Sequence, residues 1–185
     1  AQEIDPNISD IYFAKSNIYL KISQQKNAKT ALETGLSLEP SNHKAIFQLG
    51  NILLMEKNYS EAIQLFDKSL KIMPDFWQAI NNKGLAYFEK NKINLSIKLF
   101  EKAIAIEDNA EPLLGLATCL RMKNIELAIQ LAKKALIKDP YYVDYNYRKE
   151  QLWGENLQAS TEILLQNDQL ITDVILAKSK INGTS

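Results

Sequence analysis

Pro40 and Pro74 stand 34 residues apart, and the same step again reaches Asp108, another residue suited to a turn. Pro140 follows 32 residues later. A similar phrase precedes each of these points, over residues 31–39, 66–73, 100–107 and 132–139. A fixed period of this size means stacked copies of one unit, because a single unit cannot bury its own apolar face. Within each unit the apolar residues recur at steps of three and four, the period of an amphipathic helix. Loop signals at Gln25-Lys26-Asn27, Lys57-Asn58-Tyr59, Asn91-Lys92 and Lys123-Asn124 divide each unit in two. Small residues fall where two helices must approach closely: Gly50 with Ala62 and Ser69, Gly84 with Ser96 and Ala103. Each unit therefore reads as a helical hairpin with a short turn.

Charge and residue usage narrow the function. Lys plus Arg and Asp plus Glu both total 22, for a net charge of zero. A binder held to nucleic acid mainly by charge would show a basic excess, so none is expected. Arg121 and Arg148 are the only arginines, which leaves few bidentate clamps for phosphate or carboxylate. One Cys, Cys119, excludes an intrachain disulfide and any multi-thiolate metal site, and one His, His43, excludes the two-histidine zinc motifs. No metal and no cofactor are expected. No apolar run approaches the roughly eighteen residues of a membrane span. The cytoplasm is the favoured compartment, with export after cleavage of a signal segment as the alternative.

Candidate catalytic groups have plainer readings. His43 sits near a helix start and is expected to be exposed, and Cys119 lies on a helix with no neighbouring His and reads as a buried structural thiol. Glu33, Glu56, Glu61 and Glu101 share helix faces with lysines, as solvated surface does. No Gly-rich phosphate loop occurs. The chain is not expected to be an enzyme.

In this register the chain resembles the tetratricopeptide repeat family. The second unit carries Ile46, Leu49, Gly50, Leu53, Ala62, Phe66, Ser69 and Pro74 at the eight signature positions. The third carries Ile80, Lys83, Gly84, Tyr87, Ser96, Phe100, Ala103 and Asp108. Lys15 and Lys83 depart from the usual Leu. The resemblance implies an all-α fold, a right-handed superhelix of helical hairpins. It forms one domain over residues 1–185, with repeats at about 8–40, 41–74, 75–108 and 109–140. Capping helices follow at about 141–180, read as one longer helix and, after Asn167-Asp168, a short terminal one. Asn182-Gly183-Thr184-Ser185 reads as a frayed tail. Leu152-Trp153-Gly154-Glu155 after four repeats also resembles a repeat-protein group of photosynthetic bacteria.

The family places its ligand-facing residues on the first helix of each hairpin. Carried over, these include Phe13 and Asn17; Lys44, Phe47, Gln48 and Asn51; and Gln78, Asn81, Asn82 and Leu85. Glu111, Leu114, Thr118 and Arg121 follow in the fourth unit. Asn and Gln can pair with the amides of an extended peptide. Family members that hold chaperone C-terminal carboxylates need Lys where Phe13 and Phe47 stand here, so charged tails are disfavoured. The expected function is a non-catalytic scaffold that holds an extended, largely uncharged segment of a partner protein in the concave groove. The alternative is an assembly module that forms a homodimer through the C-terminal helices, using Leu164, Leu165, Leu170, Ile171, Val174 and Ile175.

Overall fold

The computed structural model describes residues 6–183; Thr184 and Ser185 of the expected tail lie outside them. Helices follow one another as consecutive hairpins, and no strand occurs among the described residues. The chain divides into two compact units, residues 1–79 and 80–185.

The first unit holds α1 (Pro6–Lys21), α2 (Gln25–Leu38), α3 (His43–Met55) and α4 (Tyr59–Ile72). α1 packs on α2, α3 on α4, and α2 on α3. Ala28, Leu32, Ala45 and Ile52 form the seam between α2 and α3, flanked by Leu36 and Leu49. Close packing within the hairpins depends on missing side chains. A Cβ at Gly50 would stand 2.6 Å from Cε1 of Phe66, whose ring is fully buried. Burial of such a ring contributes about 1.5–3 kcal/mol. Gly35 admits the Phe13 ring in the same way.

The second unit holds most of α5 (Trp77–Glu89), then α6 (Ile93–Ile106), α7 (Ala110–Leu120) and α8 (Ile125–Lys138). Phe100 of α6 lies against both Gly84 and Gly115, where added Cβ atoms would meet its ring at 3.0 and 2.8 Å. Ser96 Oγ donates to the Gly84 carbonyl at 2.7 Å, which ties α6 to α5.

Turn chemistry follows the period. Ser23, Lys57 and Asn91, each 34 residues from the next, have φ of 58°, 60° and 55° and close the first three hairpins through left-handed backbone. Asn42, Asn109 and Asn124 cap α3, α7 and α8, their side chains accepting from the N–H of Ala45, Glu111 and Leu127. Asp108 stands where earlier units have Pro. It is anchored by Lys134 at 2.9 Å and Lys138 at 3.0 Å, whose hydrogen bonds hold its carboxyl below the usual range. Lys15 and Lys83, in place of the usual Leu, each set the ammonium 5.8 Å from the ring of the Tyr one turn on, Tyr19 and Tyr87.

After Pro140 the structure departs from the expected single longer helix. A 3-10 turn, Pro140–Val143, leads to α9 (Tyr145–Glu150) and then α10 (Glu155–Leu165). Leu152 takes φ 68° and Gly154 is extended at the start of α10, so the backbone at 151–154 breaks the helix. A second 3-10 turn, Asp168–Leu170, precedes α11 (Ile171–Ile181), which packs on α8. Arg148 holds this segment together from a fully buried position. Its Nη1 donates to the Tyr142 carbonyl at 2.7 Å, its Nε to Gln158 at 2.8 Å, and its Nη2 to Glu162.

Candidate functional site

In the first unit the residues singled out from the sequence come from α1 and α3. Asn17 is exposed, and its Oδ1 accepts from Gln48 Nε2 at 2.9 Å, so the two helices present a joined pair of amides. Lys44 is exposed one turn before Gln48, and Asn51 is half-buried one turn beyond Phe47. Phe13 and Phe47 are half-buried and serve the hairpin interior more than the surface. Phe13 fills the space left by Gly35. Phe47 has Phe66 at 5.8 Å and Phe76 at 4.9 Å between ring centroids. His43, expected to be exposed, is half-buried with its ring edge-on to Phe76 at 5.3 Å. Gln78, at the start of α5, is half-buried.

The second unit differs from the expectation of an open face. Asn81, Asn82 and Leu85 are 0, 7 and 1 % exposed. Glu111, Leu114 and Thr118 of α7 are buried as well. The C-terminal segment packs on α7 and on the end of α5. α10 packs on α7, and Thr118 Oγ1 lies 2.9 Å from Thr161 Oγ1 of α10. Trp153 Nε1 donates to Glu111 Oε1 at 3.1 Å. Glu89, at the end of α5, takes the N-terminus of α10: its carboxylate accepts from the N–H of Leu157 at 2.9 Å and of Asn156 at 3.2 Å. A carboxylate is favourable there because it meets unpaired N–H groups and the positive end of the helix dipole. Gly154 makes the approach possible, since a Cβ there would collide with the Glu89 carboxylate. Sequence reading missed Glu89, which meets residues 67 and 68 positions away. No local pattern signals such a contact.

Electrostatics mark one group. Burial pushes the Glu111 carboxyl up to about 7, against hydrogen bonds from Trp153, Asn81 and Tyr142 that favour its charged form. Asn81 Nδ2 also donates to Asn82 Oδ1 at 3.1 Å, while its own Oδ1 is buried without a hydrogen-bond partner among the described residues. The Tyr142 hydroxyl is raised by burial and by the Glu111 charge. Cys119 is 5 % exposed, and burial raises its thiol to about 12, so little thiolate exists near neutral pH. Among the described residues no His, Cys, Asp and Glu gather as a metal site, and no helix is long and apolar enough to cross a membrane.

The tetratricopeptide repeat pattern matches residues 9–42, 43–76 and 78–109, together more than half of the chain. A search of curated proteins finds no match. Among solved structures, MamA 41-end from Desulfovibrio magneticus RS-1 is similar at TM-score 0.67 and 20 % identity, over 95 % of this chain and 94 % of that one. YrrB, described as a TPR protein with an unusual peptide-binding site, is similar at TM-score 0.62 and 16 % identity, over 91 % and 90 %. The first TPR of Spaghetti (RPAP3), bound to the HSP90 peptide SRMEEVD, is similar at TM-score 0.62 and 18 % identity, over 66 % and 98 %. These likenesses establish the fold, and they lend no support to the second resemblance, to a group from photosynthetic bacteria. On the repeat period, the hairpins and the matched pattern, the chain belongs to the tetratricopeptide repeat family.

Proposed function

We propose that this protein is a non-catalytic scaffold that holds an extended, largely uncharged segment of a partner protein on the α1 and α3 face of its first unit. Tetratricopeptide repeat proteins are protein-interaction scaffolds, and two of the similar structures are described by the peptides or peptide sites they carry. The observation that carries the reading is the Asn17–Gln48 pair. It sets donors and acceptors on two neighbouring helices at the surface, where an extended backbone can replace or extend the bond. In the second unit the chain's own C-terminal segment packs on α7 and on the end of α5, and Asn81, Asn82 and Leu85 are buried. Asn81, Asn82 and Leu85 accordingly act in packing in this reading, and Phe13 and Phe47 shape the surface from below. Lys44 supplies one cation, too little counter-charge for a terminal dicarboxylate stripped of water.

The test is selection of binders from a displayed library of uncharged and charged peptides, followed by titration against Asn17→Ala/Gln48→Ala. Loss of binding by tenfold or more, with helical content unchanged, is expected. Equal binding by the variant, or selection of peptides with acidic C-termini, refutes the reading.

A second reading, self-assembly through the C-terminal helices, is favoured by one observation. Ile171, Ile175 and Leu176 of α11 are 46, 62 and 51 % exposed. Light scattering on the wild type and on Ile175→Lys decides it: a dimer that the substitution dissociates supports this reading, and a monomeric wild type removes it.

A further inference from the structure

We propose that the pocket at the α5–α6 and α7–α8 turns is a second binding site, built for an acidic peptide segment that carries an apolar side chain. The pocket has a volume of about 970 Å³, within the range of ligand-sized sites. Its floor is apolar, from the buried Phe88 and Cys119, and Met122, 80 % exposed, adds an apolar group at the edge. α10 supplies one wall through Asn156 and Ala159. The rim carries three cations, Lys92, Arg121 and Lys123, and no carboxylate lines the pocket.

The charges are not consumed by the fold. No carboxylate pairs with Lys92, Arg121 or Lys123 among the described residues; Lys123 donates instead to the neutral Asn94. Glu89, the nearest acidic residue in the sequence of α5, is turned into the N-terminus of α10. Arg121 and Lys123 follow the C-terminal end of α7, where a cation suits the helix dipole. Lys92 does not have that reason. It occupies the N-cap of α6 with no side-chain capping bond, at the end where a cation opposes the dipole. The same position in the other three hairpins is Gln24, Asn58 and Asn124. A cation kept at an unfavourable helix end, in one pocket with two further cations that no carboxylate pairs with among the described residues, fits an anionic ligand.

The floor and the amides decide the class. An apolar floor rewards a buried aliphatic or aromatic side chain, and Asn91, with the amide groups of Asn94 and Asn156 left over from their bonds to Lys123 and the Glu89 carbonyl, offers partners to peptide amides. Carboxylates beside that side chain would meet the rim, which favours acidic over neutral partners and makes binding fall with salt. This site is separate from the α1 and α3 face, and its test does not depend on that reading.

The experiment is fluorescence anisotropy on the full chain with two labelled, end-blocked peptides, Glu-Asp-Leu-Phe-Asp-Glu and its amide counterpart Gln-Asn-Leu-Phe-Asn-Gln. The acidic peptide is expected to bind roughly tenfold tighter at low salt. Lys92→Gln/Arg121→Gln/Lys123→Gln should bring its affinity down to that of the amide peptide. Ala159→Trp, which fills the pocket from α10 and leaves the charges in place, should weaken both peptides. Equal affinity for the two peptides overturns the proposal. So does undiminished binding by Ala159→Trp, which would show charge acting outside the pocket. Competition by oligothymidylate at equal affinity would likewise overturn it, in favour of a general anion patch.

Discussion

Replacing Glu111 by Gln should make the protein more stable at neutral and alkaline pH while leaving its acid stability nearly unchanged. The Glu111 carboxyl, 9 % exposed beneath Trp153, titrates at about 7 in the folded chain against an ordinary value of 4.5. Between those values the folded state keeps a proton that the unfolded chain has released, so stability falls as pH rises through this window. Below about pH 4.5 both states are protonated and nothing is lost; above about pH 7 the full cost is present. The interval between the two values corresponds to about 3 kcal/mol. The amide of Glu111→Gln does not ionise, yet it keeps an oxygen to accept from Trp153 Nε1, now 3.1 Å from Oε1. Urea unfolding would be followed by Trp153 fluorescence in a Trp77→Phe background, for both chains, at several pH values. The difference in unfolding free energy should shift in favour of the variant by about 3 kcal/mol from about pH 4 to about pH 8. Parallel pH profiles would refute the argument, because they would mean that Glu111 ionises at no cost and is not sealed under the C-terminal segment.

Two further substitutions probe the packing. Arg148→Met keeps most of the buried volume but deletes donors to Gln158, the Tyr142 carbonyl and Glu162. A loss of about 3 kcal/mol is expected, with earlier hydrogen exchange in α10 than in α7; uniform exchange would show that Arg148 does not hold the C-terminal segment. Gly50→Ala places a methyl 2.6 Å from the Phe66 ring. The ring must move, at a cost of about 1–3 kcal/mol. Restoration by Phe66→Leu in the same chain would confirm the cause, and an unchanged melting temperature in the single variant would remove it.

Much of the fold was legible because it is written locally and four times over. The amphipathic period sets the helices, and Gly50 and Gly84 mark close approaches that recur one period apart. The turns recur as well: Ser23, Lys57 and Asn91 repeat at one spacing with one backbone conformation. The candidate surface was legible only in part. Position in the repeat brings Asn17 and Gln48 to one face, and they meet there. The same rule applied to Asn81, Asn82 and Leu85 names side chains that are buried.

The hairpin, its period and the family follow from the order of residues alone, since helix periodicity and turn preference act over a few positions and survive repetition. Which copies stay open depends instead on long-range packing. Trp153 reaches Glu111 across 42 positions and Leu157 reaches Glu89 across 68. Nothing in the repeat encodes those pairings. They arise because the non-repetitive tail carries apolar and hydrogen-bonding groups that are stabilised by leaving water, and α7 with the end of α5 supplies the surface on which it does so.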